Sequence, residues 1–413
     1  MACTWLIRYL DSRALLGKIG AAFDCLKGVS RTMRVGISVM AAAVCGLSAL
    51  CPAKGMASDR PAIVGYVFPR NTILAPGQID AQSLTRINYA FANTKNGQLA
   101  NGTAADAQNF ASLVALKKAN PSLTILISVG GWLGSGDFSD IALTEQSRTT
   151  FINSVMDFLH RYELDGLDID WEYPGMPGAG HAYRAEDGQD FTLLLKELRR
   201  RFTQEEKVTG RRLYLTIAAG ASDAYLAHTE MRQVQRYVDD VNLMAYDYNE
   251  APSNGLTGHH APLFIDPNAP NKQSADASVR AFELAGVPAK KLILGVPFYG
   301  RSWQGVNSED HGLFQPGKPA AQDFIPFNVI EGTMLGHGFT RYWDASASAP
   351  YLYSEDQMIF VSYEDPESLS AKCKYVLTHR LGGVMFWEYS NDPNGVLLGT
   401  ITRTLRTSKL GAH

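Results

Sequence analysis

The sequence predicts an α/β fold, a (β/α)8 TIM barrel with a small α+β insertion subdomain between strands 7 and 8. From Ile63 onward, short β-branched or apolar runs alternate with stretches of helical period, the pattern of a parallel sheet covered by helices. These runs number eight, the count that closes such a barrel. The last two are separated by an excess of sequence, about Ser302 to Asp365, too long for an ordinary connection.

The strands are expected at Ile63–Phe68, Arg86–Ala92, Thr124–Val129, Gly166–Trp171, Tyr214–Ala218, Val241–Ala245, Lys291–Pro297 and Gly383–Trp387. Apolar residues recur at helical spacing in Gln108–Asn120, Thr144–Tyr162, Asp190–Phe202, Glu230–Val238, Ser274–Gly286 and Glu367–Arg380. Within the excess segment, Tyr342-Trp343-Asp344, Tyr351-Leu352-Tyr353 and Phe360-Val361-Ser362-Tyr363 are aromatic and β-rich, so residues 302–365 read as the inserted subdomain. Thr400–His413 reads as a last helix and a frayed tail. No internal repeat and no Ser/Thr/Pro-rich linker divides the body.

A chain of 413 residues suffices for one large core, and a formal net charge of -3 without a basic run argues against nucleic acid as a partner. Four of the five cysteines, Cys3, Cys25, Cys45 and Cys51, precede residue 58, so the body retains only Cys373 and forms no internal disulfide. An extracellular destination is read from the start of the chain instead. Met33-Arg34 forms a short basic region, Val35 to Cys51 an apolar one, and Gly55-Met56-Ala57 places small residues where a signal peptidase reads. Cleavage is expected after Ala57, leaving 58–413 as the mature body, secreted or periplasmic, monomeric and without stable membrane association. Residues 1–32 lie upstream of an ordinary leader, which points to Met33 as the true start.

The densest chemistry lies in Asp165-Gly166-Leu167-Asp168-Ile169-Asp170-Trp171-Glu172. On an extended strand Asp168, Asp170 and Glu172 share one face and Leu167, Ile169 and Trp171 the other. Same-face neighbours are roughly 7 Å apart, so three ionised carboxylates in a row repel and some hold protons near neutral pH. The protons then belong to the coupled group, and a proton held there can be donated. Asp165 has the opposite parity and is assigned to the turn.

Strand C-terminal ends face the active site in such barrels. Those of this chain carry Ser128-Val129-Gly130-Gly131-Trp132, Met244-Ala245-Tyr246-Asp247-Tyr248, Pro297-Phe298-Tyr299-Gly300-Arg301 and Phe386-Trp387-Glu388-Tyr389. Together they build an acidic cleft walled by aromatic rings, the usual chemistry of sugar binding. The adjacent His259 and His260 invite a metal reading, but no ligand-spaced Cys/His cluster accompanies them, and they are assigned to a solvated loop.

The run from Asp165 to Glu172 with Tyr173-Pro174, together with Ser128-Val129-Gly130-Gly131, Met244-Ala245-Tyr246-Asp247 and Gly383-Val384-Met385-Phe386-Trp387, resembles the glycoside hydrolase family 18 chitinases. Val64-Gly65-Tyr66, Ile87-Asn88-Tyr89-Ala90-Phe91-Ala92 and Leu294-Gly295-Val296-Pro297-Phe298-Tyr299-Gly300-Arg301 fit the same family in order, so the resemblance covers nearly all of the chain after residue 60. The insertion resembles that of bacterial members with deep, tunnel-like clefts; no chitin-binding module accompanies it.

The resemblance implies hydrolysis of chitin or chitooligosaccharides without metal or cofactor. It makes Glu172 the general acid and then the base, with the substrate's own 2-acetamido oxygen as nucleophile, the substrate-assisted exception among glycosidases. It makes Asp170 the residue that orients the acetamido N–H, turning from Asp168 toward Glu172. Tyr246 would bond the acetamido group, and Asp247 would contact the distorted sugar at subsite -1. Trp387 would floor that subsite, with Trp132 as a wall on the leaving-group side and Arg301 as a polar clamp. Tyr66 and Ser128 would support the aspartates by hydrogen bonding, and Phe91 and Met244 would pack around them. Two alternatives stay open: a lectin of the same fold, which typically lacks the acid present here as Glu172, and an enzyme acting on another N-acetylated glycan.

Overall fold

The computed structural model describes residues 60–251 and 255–407. The leader, the cleavage site after Ala57, four of the cysteines and the last residues of the C-terminal tail lie outside the described residues. In chain order the strands are β1 (Ala62–Val67), β2 (Arg86–Lys95), β3 (Gln98–Ala100), β4 (Thr124–Gly130), β5 (Gly166–Asp170), β6 (Tyr214–Gly220), β7 (Asp240–Met244), β8 (Leu292–Pro297), β9 (Tyr299–Gln304), β10 (Lys318–Pro326), β11 (Thr340–Asp344), β12 (Ala349–Ser354), β13 (Ile359–Ser362) and β14 (Gly383–Trp387). The helices are α1 (Asp106–Ala115), α2 (Phe138–Leu143), α3 (Glu145–Tyr162), α4 (Asp187–Thr209), α5 (Asp223–His228), α6 (Met231–Val234), α7 (Ala275–Leu284), α8 (Pro366–Thr378) and α9 (Val396–Thr407).

Eight strands pair in parallel in the order β1-β14-β8-β7-β6-β5-β4-β2, and β2 pairs back onto β1 to close the barrel. All eight expected strands are present, with ends shifted by up to three residues. Their outward residues, such as Leu167 and Ile169 of β5, are fully buried under the helices, which is why these strands read as nearly continuous apolar runs. Helix starts follow local chemistry. The Thr144 hydroxyl accepts from Ser147 N–H in a capping box before α3, Ser274 caps α7, and Asp365 caps α8 with Pro366 at its first position.

The segment between β8 and β14 adds a second, five-stranded antiparallel sheet in the order β10-β9-β13-β12-β11. Between the strands of this sheet the helical content is limited to the short turns of Glu309–Gly312, Phe327–Val329 and Ile330–Met334, and α8 follows its last strand in sequence. The sheet opens at Tyr299, just after β8 leaves the barrel, so β9 carries Tyr299 and Arg301 directly from the barrel rim into the insertion.

The expected helix Glu230–Val238 shortens to α6, after which Arg236 and Tyr237 donate to carbonyls only three residues back. Two six-residue helices, α2 and α5, are additional to the expected set; they are too short to show a period.

One glycine shapes the rim between β4 and β5. Gly130 lies at φ +111°, and a Cβ there would sit 2.0 Å from the Asp170 carbonyl oxygen. Neighbouring Gly131 N–H donates to that same carbonyl at 2.7 Å. Gly130→Ala is expected to lower stability by at least about 3 kcal/mol in denaturant titration, because backbone must move to admit the methyl. A loss below about 0.5 kcal/mol would show that the rim yields easily.

Candidate active site

β5 points Asp168 and Asp170 into the barrel, and Glu172 follows two residues beyond its end. Asp168 is 0% and Asp170 4% exposed, while Glu172 is half-buried at the mouth. Asp168 accepts four hydrogen bonds, from Tyr66 Oη (2.8 Å), Ser128 Oγ (2.8 Å), Thr216 Oγ1 (2.5 Å) and Asn242 Nδ2 (3.0 Å). Register explains two of them, since Ser128 on β4 and Thr216 on β6 stand directly opposite Asp168. Tyr66 from β1 and Asn242 from β7 reach it across the interior.

The three acids are thereby made unequal. Burial raises the Asp168 carboxyl, but hydrogen bonds from Thr216, Tyr66 and Ser128 and the charge of Arg86 oppose the rise and favour its anion. Asp170 has no such support: its Oδ1 is buried without a hydrogen-bond partner among the described residues. Burial, then the charges of Glu172 and Asp168, hold it well above the usual carboxylate range. Burial also pushes Glu172 up to about 7, opposed by a hydrogen bond with Tyr173 and assisted by the charge of Asp247.

Asp247 is the counterpart of opposite tendency. Its backbone is left-handed, at φ 57°, a conformation aspartate tolerates better than most residues. Arg301 grips it in bidentate fashion, Nε to Oδ1 and Nη2 to Oδ2, both at 2.8 Å, and Tyr299 Oη donates to Oδ2 at 2.7 Å. Burial alone would raise this carboxyl, yet hydrogen bonds from His260 and Arg301 outweigh it and hold Asp247 well below the usual range. A permanent anion therefore faces a proton-holding row across one cleft, the separation that assigns acid and base roles.

Aromatic rings line the rest. The Trp387 ring packs beside Phe91 (centroids 5.6 Å apart, interplanar angle 26°), Phe68 (5.6 Å) and Tyr66 (5.8 Å). Across the cleft Trp132 is 52% and Leu133 83% exposed, an apolar platform open to solvent. Met244 and Tyr246 line the same cavity, whose volume is about 920 Å³. Of the residues expected at the site, Asp168 and Ser128 lie beneath the cavity floor and the others reach its surface. The peptide bonds Ala90–Phe91, Glu172–Tyr173 and Trp387–Glu388 are cis and belong to this rim.

The assignment of His259 and His260 to a solvated loop is corrected. They are 6% and 0% exposed, because the second sheet covers the segment that carries them. His259 Nε2 lies 3.0 Å from Asp344 Oδ2 at the end of β11, and His260 Nδ1 lies 3.4 Å from Asp247 Oδ1. Tyr299, read from sequence only as one of the cleft's aromatic residues, is found bonding Asp247, and Thr216, Asn242 and Tyr173 also belong to the site without having been given a role there from sequence. For Thr216 and Asn242 a signal existed, since each is a polar residue alternating with apolar ones in a strand otherwise read as buried. Asp165 sits at the opposite end of β5, where Oδ2 accepts from Ile125 N–H and the carboxylate pairs with Lys117 and Arg211.

Comparison with known proteins agrees with this geometry. The family model of the glycosyl hydrolases family 18 matches residues 62–392. The chain belongs to the glycosyl hydrolases family 18. It is 36% identical to Chitinase A1 of Niallia circulans over 90% of its own length, and spans 62% of the length of that relative. It is 30% identical to Chitinase B of Serratia marcescens, with 84% of each chain covered. Among solved structures, the family 18 N-acetylglucosaminidase from Paenibacillus barengoltzii superposes with a TM-score of 0.77 at 40% identity, covering 83% of this chain and 99% of that one.

Proposed function

We propose that this family 18 member is a secreted chitinase that cleaves β-1,4-linked N-acetylglucosamine polymers with retention, Glu172 serving as general acid and then as base. The observation that carries this reading is the unequal row itself: Glu172 raised to about 7 at the mouth, Asp170 behind it with its buried Oδ1 unbonded among the described residues, and Asp168 bonded four times below. Glu172 keeps a proton for the leaving oxygen and acts as base once that proton has gone. Asp170, whose Oδ1 has no competing bond among the described residues, takes the acetamido N–H and steadies the positive charge that forms when the acetamido oxygen attacks the anomeric carbon. Such substrate participation needs no protein nucleophile.

Around this centre, Tyr246 and Asp247 bind the sugar at subsite -1, Trp387 floors it and Trp132 covers the leaving-group side. Arg301 holds Asp247, Tyr66 and Ser128 hold Asp168, and Phe91 and Met244 pack beside them. The working unit is residues 58–413 with 302–365 as an inserted subdomain, exported by a leader cleaved after Ala57 and acting as a monomer. No helix among the described residues is long and apolar enough to cross a membrane. A second reading, release of single N-acetylglucosamine units, is favoured by the likeness to the Paenibacillus N-acetylglucosaminidase; the size of the first product separates the two.

Glu172→Gln keeps shape and removes the proton donor, so turnover of a chitin tetramer should fall by at least about 10³-fold while its Kd stays within about threefold. Strong residual turnover would assign the acid to another residue. Because the protonated form of Glu172 is the active one, kcat/KM should decline as pH rises through about 7. A profile flat from pH 6 to 9 would contradict that assignment.

A further inference from the structure

Asp247 lies at a left-handed backbone position and is not aimed by strand geometry, so its direction depends on what holds its carboxylate. Arg301 is only partly available for this, since its Nη2 also pairs with Glu250 at 2.7 Å and Nη1 lies 3.9 Å from Asp323. Tyr299 Oη also donates to the Asp247 carboxylate at 2.7 Å, and the third neighbour, His260, is fixed with unusual thoroughness for a loop residue. Its N–H donates to Ser362 Oγ at 2.9 Å and its carbonyl accepts from Tyr248 N–H at 3.0 Å. The carbonyl of the next residue, Ala261, accepts from Lys372 Nζ at 2.6 Å, and buried Lys372 on α8 is paired in turn with buried Glu364. The last strand of the insertion and the helix after it thus clamp the residue whose ring lies 5.3 Å from Tyr299 and 3.4 Å from Asp247.

We propose that His260 is a positioning residue for Asp247, a neutral ring whose Nδ1–H completes the donor set that keeps this carboxylate ionised and turned into the cleft. The tautomer follows from the surroundings. Asp247 and Tyr299 lie against the ring, and the charges of Arg301 and of Lys372, itself paired with Glu364, act on it. Burial lowers the imidazole's pKa, and the charges of Arg301 and Lys372 act in the same direction against the pull of Asp247. A neutral ring carries one N–H, and the carboxylate claims it at Nδ1. Nε2, buried without a partner among the described residues, is then a bare lone pair, which costs less than a stranded N–H.

This inference rests on the proposed chitinase reading, and its test keeps the two apart. In the full chain, His260→Leu keeps bulk and removes the donor, whereas His260→Asn places an amide N–H where Nδ1 stood. With a chitin tetramer, H260L should lose about tenfold in kcat/KM with Tm within a few degrees of the parent, and H260N should recover to within about threefold. An H260L enzyme equal to the parent, or an H260N enzyme as poor as H260L, would overturn the proposal. Imidazole ¹⁵N NMR of the unsubstituted protein decides the same point without activity or variants. A neutral Nδ1–H form of His260 from pH 5 to 8 supports the proposal; an Nε2–H tautomer or an imidazolium refutes it. A parent that cleaves no tetramer would defeat the chitinase reading, and the NMR spectrum would still decide the tautomer of His260.

Discussion

Three carboxyl groups on one face of a barrel strand repel one another, and the rest of the site is arranged around that repulsion. At roughly 7 Å and an effective dielectric near 20, each ionised pair of neighbours costs about 2 kcal/mol, enough to keep a proton in the row near neutral pH. Burial raises all three carboxyls and is the larger cause, with the charges of Glu172 and Asp168 adding to it at Asp170. What fixes the proton's place is the supply of donors. The barrel interior directs four of them to Asp168 and none to the buried Oδ1 of Asp170. Protonation therefore falls on Asp170 and Glu172, on the mouth side of Asp168.

The second sheet solves the complementary problem of holding an anion close to those acids. β9 runs without interruption from the barrel rim and brings Tyr299 and Arg301 to Asp247. β13 and α8 hold the loop that presents His260. Barrel and insertion thus act on opposite sides of one charge pattern: the barrel raises the carboxyls of β5, and the insertion lowers that of Asp247. The aromatic rings around Trp387 form one apolar wall of the cleft that both sides share.

Much of this was legible in the sequence where the signal is periodic. The eight strands stood out because helices cover them and make every outward residue apolar. The alternation of Asp168, Asp170 and Glu172 translated directly into one inward face. Short elements did not stand out: α2 and α5 span less than two turns each, and α6 lasts a single turn before looser bonding takes over. The burial of His259 and His260 was unreadable for a different reason. Their partners Asp344 and Asp247 lie 85 and 13 residues away in sequence, and only the folded insertion brings these side chains together under its sheet. Thr216 and Asn242 lay between, visible as polar interruptions of buried strands but without meaning until the register placed them beside Asp168.

If the row of acids serves a reaction in which the substrate supplies the nucleophile, the configuration at the anomeric carbon is retained. Following the anomer of the first product from a chitin tetramer or pentamer by NMR, before mutarotation erases it, tests this most directly. The β-anomer is expected. Initial release of the α-anomer would mean direct attack by water, and would contradict the roles given to Asp170 and Glu172.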